Sequence, residues 1–378
     1  MSNRSAYQSS ERGSSETDAV TDELVHSSND DLARINKKAE EIRTACELRD
    51  IDALVSHATS EGGFLRDELR QLAWPILLQS DKDTENILSK GSSLPPHRDE
   101  EQVQLDVKRS FVYYPECYHD IVQVILLVMG EERSAPAVAR LSLFRIRDYM
   151  LPSLSPAVKH LQLIPAIIET ADKALAQRLS DIRPFFALSA TLTLYAHDIQ
   201  EYSDIARLFD FLLAWEPVVS IYLFVAIVLS RRKELLEIPA DEPEMLHYTL
   251  SKLPQPLDIE GLISRAVRLF RDYPPESLPF GAWRRISSYS VLKTTRAIMR
   301  TQSMNTALEI FQKHTKQLRN EERREQFIGF LWSHRRTIGS VAVAVFVGVM
   351  SVWIRKRGFD NTILSYFDHF RAAFHGRF

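Results

Sequence analysis

The residues best spaced for chemistry lie in the stretch 97–109, HRDEEQVQLDVKR. Val103, Asp106 and Arg109 recur at steps of three. On a helix they share one face, and the Asp106 carboxylate comes within reach of the Arg109 guanidinium. A helix is expected to start here, because Pro95 and Pro96 cannot continue a preceding one and Asp99 with Gln102 has the form of a capping box. An arginine held by a carboxylate has two readings. It is a solvated surface pair of little worth, or a fixed cation aimed at an anion. Spacing alone favours the surface pair.

A second group of reactive side chains follows at once: Glu116, Cys117, Tyr118, His119 and Asp120. His119 beside Asp120 could serve acid–base chemistry in a hydrolase, but no nucleophile motif accompanies the pair. Cys117 with His119 does not have a zinc spacing, and nothing downstream completes four ligands, so no metal is expected. Cys46 and Cys117 stand far apart in unrelated contexts. They give no disulfide framework and fit a reducing compartment. A formal net charge of -3 offers no basic field for nucleic acid. No Walker A loop, G-x-G-x-x-G or G-x-S-x-G occurs, so the chain is not expected to cradle a nucleotide on its own phosphate loop.

The elements that must position these residues read as helices. With 45% hydrophobic and 26% charged residues the composition is that of a folded globular protein, and no alternating strand pattern appears. The fold class is all-α. Residues 1–30 are rich in Ser, Asp, Glu and Asn and are expected to be disordered. They have no basic-then-apolar opening of a signal peptide. A helical pattern runs from Asp31 to His57, and Phe64 to Gln79 is an amphipathic helix carrying Trp74-Pro75 near its end. Ile164, Ile167, Ile168 and Ala171 form a later apolar face, and Ile205, Leu208, Phe209 and Leu212 another. Phe211 to Ser230 approaches the length of a membrane span. Glu216 and Pro217 interrupt it, and a buried core helix over Val218 to Leu229 is expected instead.

Several of these stretches together resemble the TBC domain, the GTPase-activating domain that acts on Rab proteins. Arg70, Trp74, Pro75, Leu77 and Leu78 are similar to its opening motif. Val103, Asp106 and Arg109 are similar to its arginine-finger motif, and Arg207-Leu208-Phe209-Asp210 to its third. Gly261 to Phe270, followed by Tyr273-Pro274-Pro275, closes a resemblance that covers about 60–280, within a domain expected over 31–285. The resemblance implies a multi-helix all-α fold and a Rab-family GTPase as partner. It implies that Arg109 is the finger supplied to the GTPase and that Asp106 orients it. No cofactor is implied, since GTP and magnesium belong to the partner, and the chain would activate a GTPase rather than run a reaction of its own.

The family also carries a Tyr-x-Gln-Gly stretch whose Gln is a second finger. Here Glu116 stands at the Gln position and Cys117 at the Gly. Only Ser110 to Pro115 separate the two motifs, where the family has several tens of residues. A carboxylate adds repulsion near phosphates and lacks the amide donor, so Glu116 is a poor substitute. Two functions stay open: a Rab GTPase-activating protein, and a membrane-anchored Rab-binding scaffold with impaired or no activating function.

Residues 286–336 read as a charged helical linker. Thr337 to Ile354 then gives 18 residues without a charge, between Arg335-Arg336 and Arg355-Lys356-Arg357. A transmembrane helix is expected over 337–354. In the tail 355–378, Phe359, Ile363, Phe367, Phe370 and Phe374 fall about one turn apart, as in a helix lying on a bilayer surface. The resemblance is greatest to the tail-anchored branch of the family resident in the endoplasmic reticulum. That implies the endoplasmic reticulum membrane, a TBC domain facing the cytosol, and a part in ER-to-Golgi vesicle traffic.

Overall fold

The computed structural model describes residues 14–81, 117–296 and 303–356. Every regular element among them is helical, in line with the all-α expectation. The longer elements are α1 (Ser14–Leu48), α2 (Ile51–Thr59), α3 (Asp67–Leu78), α4 (Cys117–Met129) and α5 (Glu131–Phe144). They continue with α6 (Leu163–Ala171), α7 (Tyr202–Ala214), α8 (Val219–Ser230), α9 (Pro243–Ser251) and α10 (Ile259–Asp272). The short α11 (Ala282–Arg285) and α12 (Val291–Thr294) precede α13 (Met304–Ser333) and α14 (Arg335–Lys356). Shorter helices of three to seven residues lie between some of these among the described residues.

Local sequence sets several of these boundaries. The Asp50 carboxylate accepts the Ala53 N–H at 3.0 Å and caps α2, and Asp258 caps α10 by accepting the Gly261 N–H at 3.0 Å. α3 carries Pro75 in its final turn and stops soon after, at Gln79 in the left-handed region. At the centre lies α8, whose residues Val219 through Val228 are all buried. A helix apolar on every side must be enclosed, and α8 packs on α10 and α6. The expected core helix over Val218 to Leu229 is this one. α10 turns one stripe inward, formed by Leu262, Ile263, Ala266, Val267 and Leu269.

Two boundaries differ from expectation. α1 begins at Ser14, inside the stretch read as disordered, so the described helical chain starts earlier than residue 31. Its C-terminal half buries Ala39, Ile42, Ala45 and Cys46. From that docked half the helix propagates towards the N-terminus at little cost. Residues 1–13 lie outside the described residues. At the other end, the first compact unit runs to His314 rather than 285. Ile286, Val291 and Leu292 join the core, and Ala307 and His314 are fully buried. The linker pattern was read from its charges, which hid these few inward positions.

The second unit starts at Thr315, within α13, and contains α14. Among the described residues no helix is long and apolar enough to cross a membrane. Within the run 337–354, side chains are described only for 343–353, too short a stretch for the roughly 20 residues a span needs.

The first unit is held by a buried polar centre. Asp210 on α7 is fully buried. Its carboxylate accepts from Arg70 Nε at 3.0 Å, from Trp74 Nε1 at 2.8 Å and from the Phe64 N–H at 3.0 Å. One turn earlier on α7, Arg207 donates to the Ala58 carbonyl at 2.9 Å, the Ser60 carbonyl at 3.1 Å and both oxygens of Glu260 at 2.6 and 2.7 Å. Glu260 also accepts the Gly62 N–H at 3.0 Å. Burial opposes the charge on Arg70, but Asp210 and Asp67 outweigh it and raise its pKa above the ordinary value. Burial likewise pushes the Asp210 carboxyl up, and Arg70, the Phe64 amide and Trp74 pull it back.

The 60–65 loop must approach this centre closely, and Gly63 permits it. A Cβ at Gly63 would lie 2.6 Å from Asp210 Oδ2 and 3.0 Å from two Arg207 atoms, at φ +52°. Gly130 has a similar φ, +74°, with nothing within 4 Å. Gly63→Ala therefore adds overpacking to left-handed strain and is expected to cost roughly 3 kcal/mol or more. Gly130→Ala carries the strain alone, about 1 kcal/mol. Urea denaturation of the two variants checks this: equal losses of stability would show that the loop does not press on the Asp210 centre.

Candidate functional site

The sequence-predicted Asp106, Arg109 and Glu116 lie outside the described residues, which stop at 81 and resume at 117. The described residues give the two ends of that segment and the scaffold that holds them.

The leading end leaves α3. Gln79 closes the helix, and Asp81 is paired with Arg49 at the end of α1. The returning end enters α4, whose first turn is tied at two points. The Tyr118 hydroxyl and the Ser142 hydroxyl on α5 are 2.6 Å apart. The Asp120 carboxylate lies 3.0 Å from His197 Nδ1 and 3.3 Å from His119 Nε2. α3 and α4 are joined directly, since the Gln71 amide donates to the Val128 carbonyl at 2.8 Å. A rigid frame built from α1, α3, α4 and α5 thus brackets the segment that carries both expected finger positions.

His119 and Asp120 do come together, with His197 as a third member. His119 is about half exposed. No nucleophile joins them, and no group of three or more potential metal ligands occurs among the described residues. His197 was not expected. It follows Asp120 by 77 positions, and nothing local in the sequence pairs them.

A second constellation was also missed. His160 Nε2 lies 2.8 Å from Asp148 Oδ2 and 3.1 Å from Ser290 Oγ. The residue types are those of a hydrolytic triad, but the arrangement is not. One ring nitrogen faces both partners, whereas a triad uses one nitrogen for each. All three side chains are buried. Asp148 also accepts the Val291 N–H at 3.0 Å, and Ser290 caps α12 by accepting the Leu292 N–H at 3.2 Å. Burial drives the Asp148 carboxyl up, but its hydrogen bonds to His160, Ser290 and the Val291 amide outweigh that and hold it below the usual carboxylate range. The cluster fastens residues 290–294 to the core and has no access to a substrate. Cys46 is similarly inert, its thiol pushed up to about 11 by burial.

The framed segment is where the expected finger residues stand in the sequence. The Rab-GTPase-TBC domain model matches residues 111–236. The match opens just past Arg109, so the Asp106 and Arg109 pair stands outside it. GTPase-activating protein gyp10 of Schizosaccharomyces pombe is 33% identical over 324 residues, 76% of this chain and 86% of its own length. TBC1 domain family member 20 of Homo sapiens is 33% identical over 282 residues, 65% of this chain and 70% of its own length.

These alignments carry a length difference. Since 76% of 378 residues is about 287, the 324 aligned residues pass about 37 positions of gyp10 that have no counterpart here. For the human protein, 65% is about 246 of 282, a shortfall of about 36. The shortfall has the size of the segment expected between the two finger motifs. With two thirds or more of each relative covered, the conclusion is plain: the chain belongs to the TBC family of Rab GTPase-activating proteins, whose members regulate a Rab GTPase and are not enzymes themselves.

Proposed function

We propose that this chain accelerates GTP hydrolysis on a Rab GTPase of early secretory traffic by inserting Arg109, oriented by Asp106, beside the transferred phosphoryl group. A GTPase is slow because charge developing on that group is incompletely stabilised and the attacking water poorly placed. An arginine supplied in trans offsets the charge and is worth about 10³–10⁵ in rate. The observation that carries this reading is family membership together with a retained Asp-x-x-Arg at 106–109. The frame of α1, α3, α4 and α5 supports it, because a finger must leave and re-enter a rigid body to be aimed.

The shortfall of some three dozen residues favours a second reading alongside the first: a Rab-binding protein whose activating function is impaired. Arg109 stabilises charge but does not place water, and Glu116 lacks the amide that would. The two jobs are realised together in the closed complex, so losing one costs most of the acceleration rather than half. Ser110 to Pro115, fully extended, reach at most about 20 Å. Glu116→Gln alone is therefore expected to help little, while restoring the family's segment with its Tyr-x-Gln-Gly raises hydrolysis by orders of magnitude. Single-turnover GTP hydrolysis across a Rab panel compares the present chain, Arg109→Ala, Glu116→Gln and the segment-restored chain. A large rate from the present chain, abolished by Arg109→Ala, would establish the first reading without the segment. Equal rates for all four would refute the finger assignments.

The same proposal places the chain on the endoplasmic reticulum membrane by the span 337–354, with the TBC domain in the cytosol where Rab proteins act. Two observations support it. The run has 18 uncharged residues between basic flanks. In α14 the described apolar side chains, among them Val343, Val345, Phe346, Val347, Val349 and Val352, are exposed. Such an apolar surface is a liability in water and natural in lipid. Full-length protein is expected to stay with membranes through alkaline carbonate extraction and to need detergent for release. Release by carbonate alone would rule out the span.

A further inference from the structure

We propose that the turn at 279–285 is a lipid-contacting surface, in which Phe280 enters the headgroup boundary of an anionic bilayer while Arg284 and Arg285 meet its phosphates. The first observation is backbone strain. Phe280 has φ 60° and ψ 9°, a left-handed conformation that a bulky side chain rarely adopts. Other non-glycine residues share that region, each with a compensation. Leu194 and Tyr195 are buried, and Leu65 packs against the core. Arg49 and Gln79 close helices α1 and α3. Phe280 is 65% exposed, so nothing in the described fold offsets its strain. Strain of this kind points to a use outside the fold.

The second observation is charge. Arg284 and Arg285 are exposed, and neither makes an ion pair or side-chain hydrogen bond among the described residues. Arg284 folds back over Gly281, the residue after the phenylalanine: a Cβ there would lie 3.3 Å from its Nη2. The acid close by, Glu276, is occupied by Arg296 and leaves the two arginines uncancelled. The turn is also firmly seated. Trp283 beneath it is buried, with Lys293 Nζ 5.4 Å and the Arg296 guanidinium 5.6 Å from its ring centroid. A rigid turn thus presents one aromatic ring beside two free cations.

That chemistry fits a membrane better than a protein. A stable protein interface buries about 800 Å² on each partner, and here the apolar feature is a single ring. Interfacial membrane binding needs only a few inserted apolar groups plus attraction to anionic lipid. Each arginine near such a surface is worth roughly a fivefold gain in partition. The inference does not depend on the span at 337–354 or on activity towards a Rab.

The test is amide hydrogen exchange on the full chain, mixed with vesicles of phosphatidylcholine alone or of phosphatidylcholine with phosphatidylserine. Peptides covering 276–286 are expected to exchange roughly tenfold more slowly with the anionic vesicles only. The protection is lost in Phe280→Asp and in Arg284→Glu with Arg285→Glu. Exchange within 219–228, deep in the core, stays unchanged and reports that each variant is folded. Because the readout is local, a failed span leaves it intact. Equal exchange with both vesicle types, or protection that survives the reversal of both arginines, would overturn the proposal.

Discussion

The buried carboxylate of Asp210 is the constraint on which the rest of the TBC domain depends. It draws N–H donors from Phe64, Arg70 and Trp74 onto one helix, α7. Arg207, one turn away, satisfies the carbonyls of Ala58 and Ser60 and reaches across to Glu260 on α10. Four separate pieces of chain are thereby fixed to one another: the end of α2, the loop behind it, α3 and the start of α10. Removing one partner of such a buried pair strands a charge in the interior and costs about 3–5 kcal/mol. The apolar packing of α8 against α10 and α6 supplies bulk stability, but it is less directional. The polar centre decides the register in which α3 meets α7.

That centre explains why part of the fold was legible in the sequence. Arg70, Trp74, Arg207 and Asp210 are all motif residues of the resemblance. They are hydrogen-bonded to one another or to the same loop, so their types cannot drift independently. Arg207 and Asp210, at i and i+3 on α7, are both buried, and neither is the other's partner. Spacing along one helix showed which residues share a face. It could not show that the face is covered. Val218 to Leu229 was legible for the opposite reason. A helix apolar all round has no exposed solution in a globular domain, so its burial follows from composition alone.

The remainder was hidden by separation along the chain. Asp120 finds His197, and Asp148 finds His160 and Ser290, through tertiary approach that no local pattern encodes. The end of the domain was hidden by dilution. Among the described residues between 286 and 314, few apolar positions turn inward, including Ile286, Val291, Leu292 and Ala307. They are too sparse to give a clear period against the surrounding charge. At the N-terminus, composition argued for disorder over 1–30, yet a helix needs no apolar residues to extend from a half that is already docked. For the candidate site the sequence supplies Asp106, Arg109 and Glu116. The described structure supplies only the frame around them.

The described frame and the segment 82–116 that joins its ends answer to different demands. The Asp210 centre, the α8 packing and the Asp148 cluster are built from described residues on either side of 82–116. The ties at Asp81 and at Tyr118 and Asp120 hold the two ends of the segment. Shortening a connection between fixed ends changes chain entropy only slowly with length. The catalytic constellation is less tolerant. It needs two groups aimed within about half an ångström of their productive positions. A shortfall of some three dozen residues placed in that segment would therefore weigh on chemistry more than on the entropy of closing the connection.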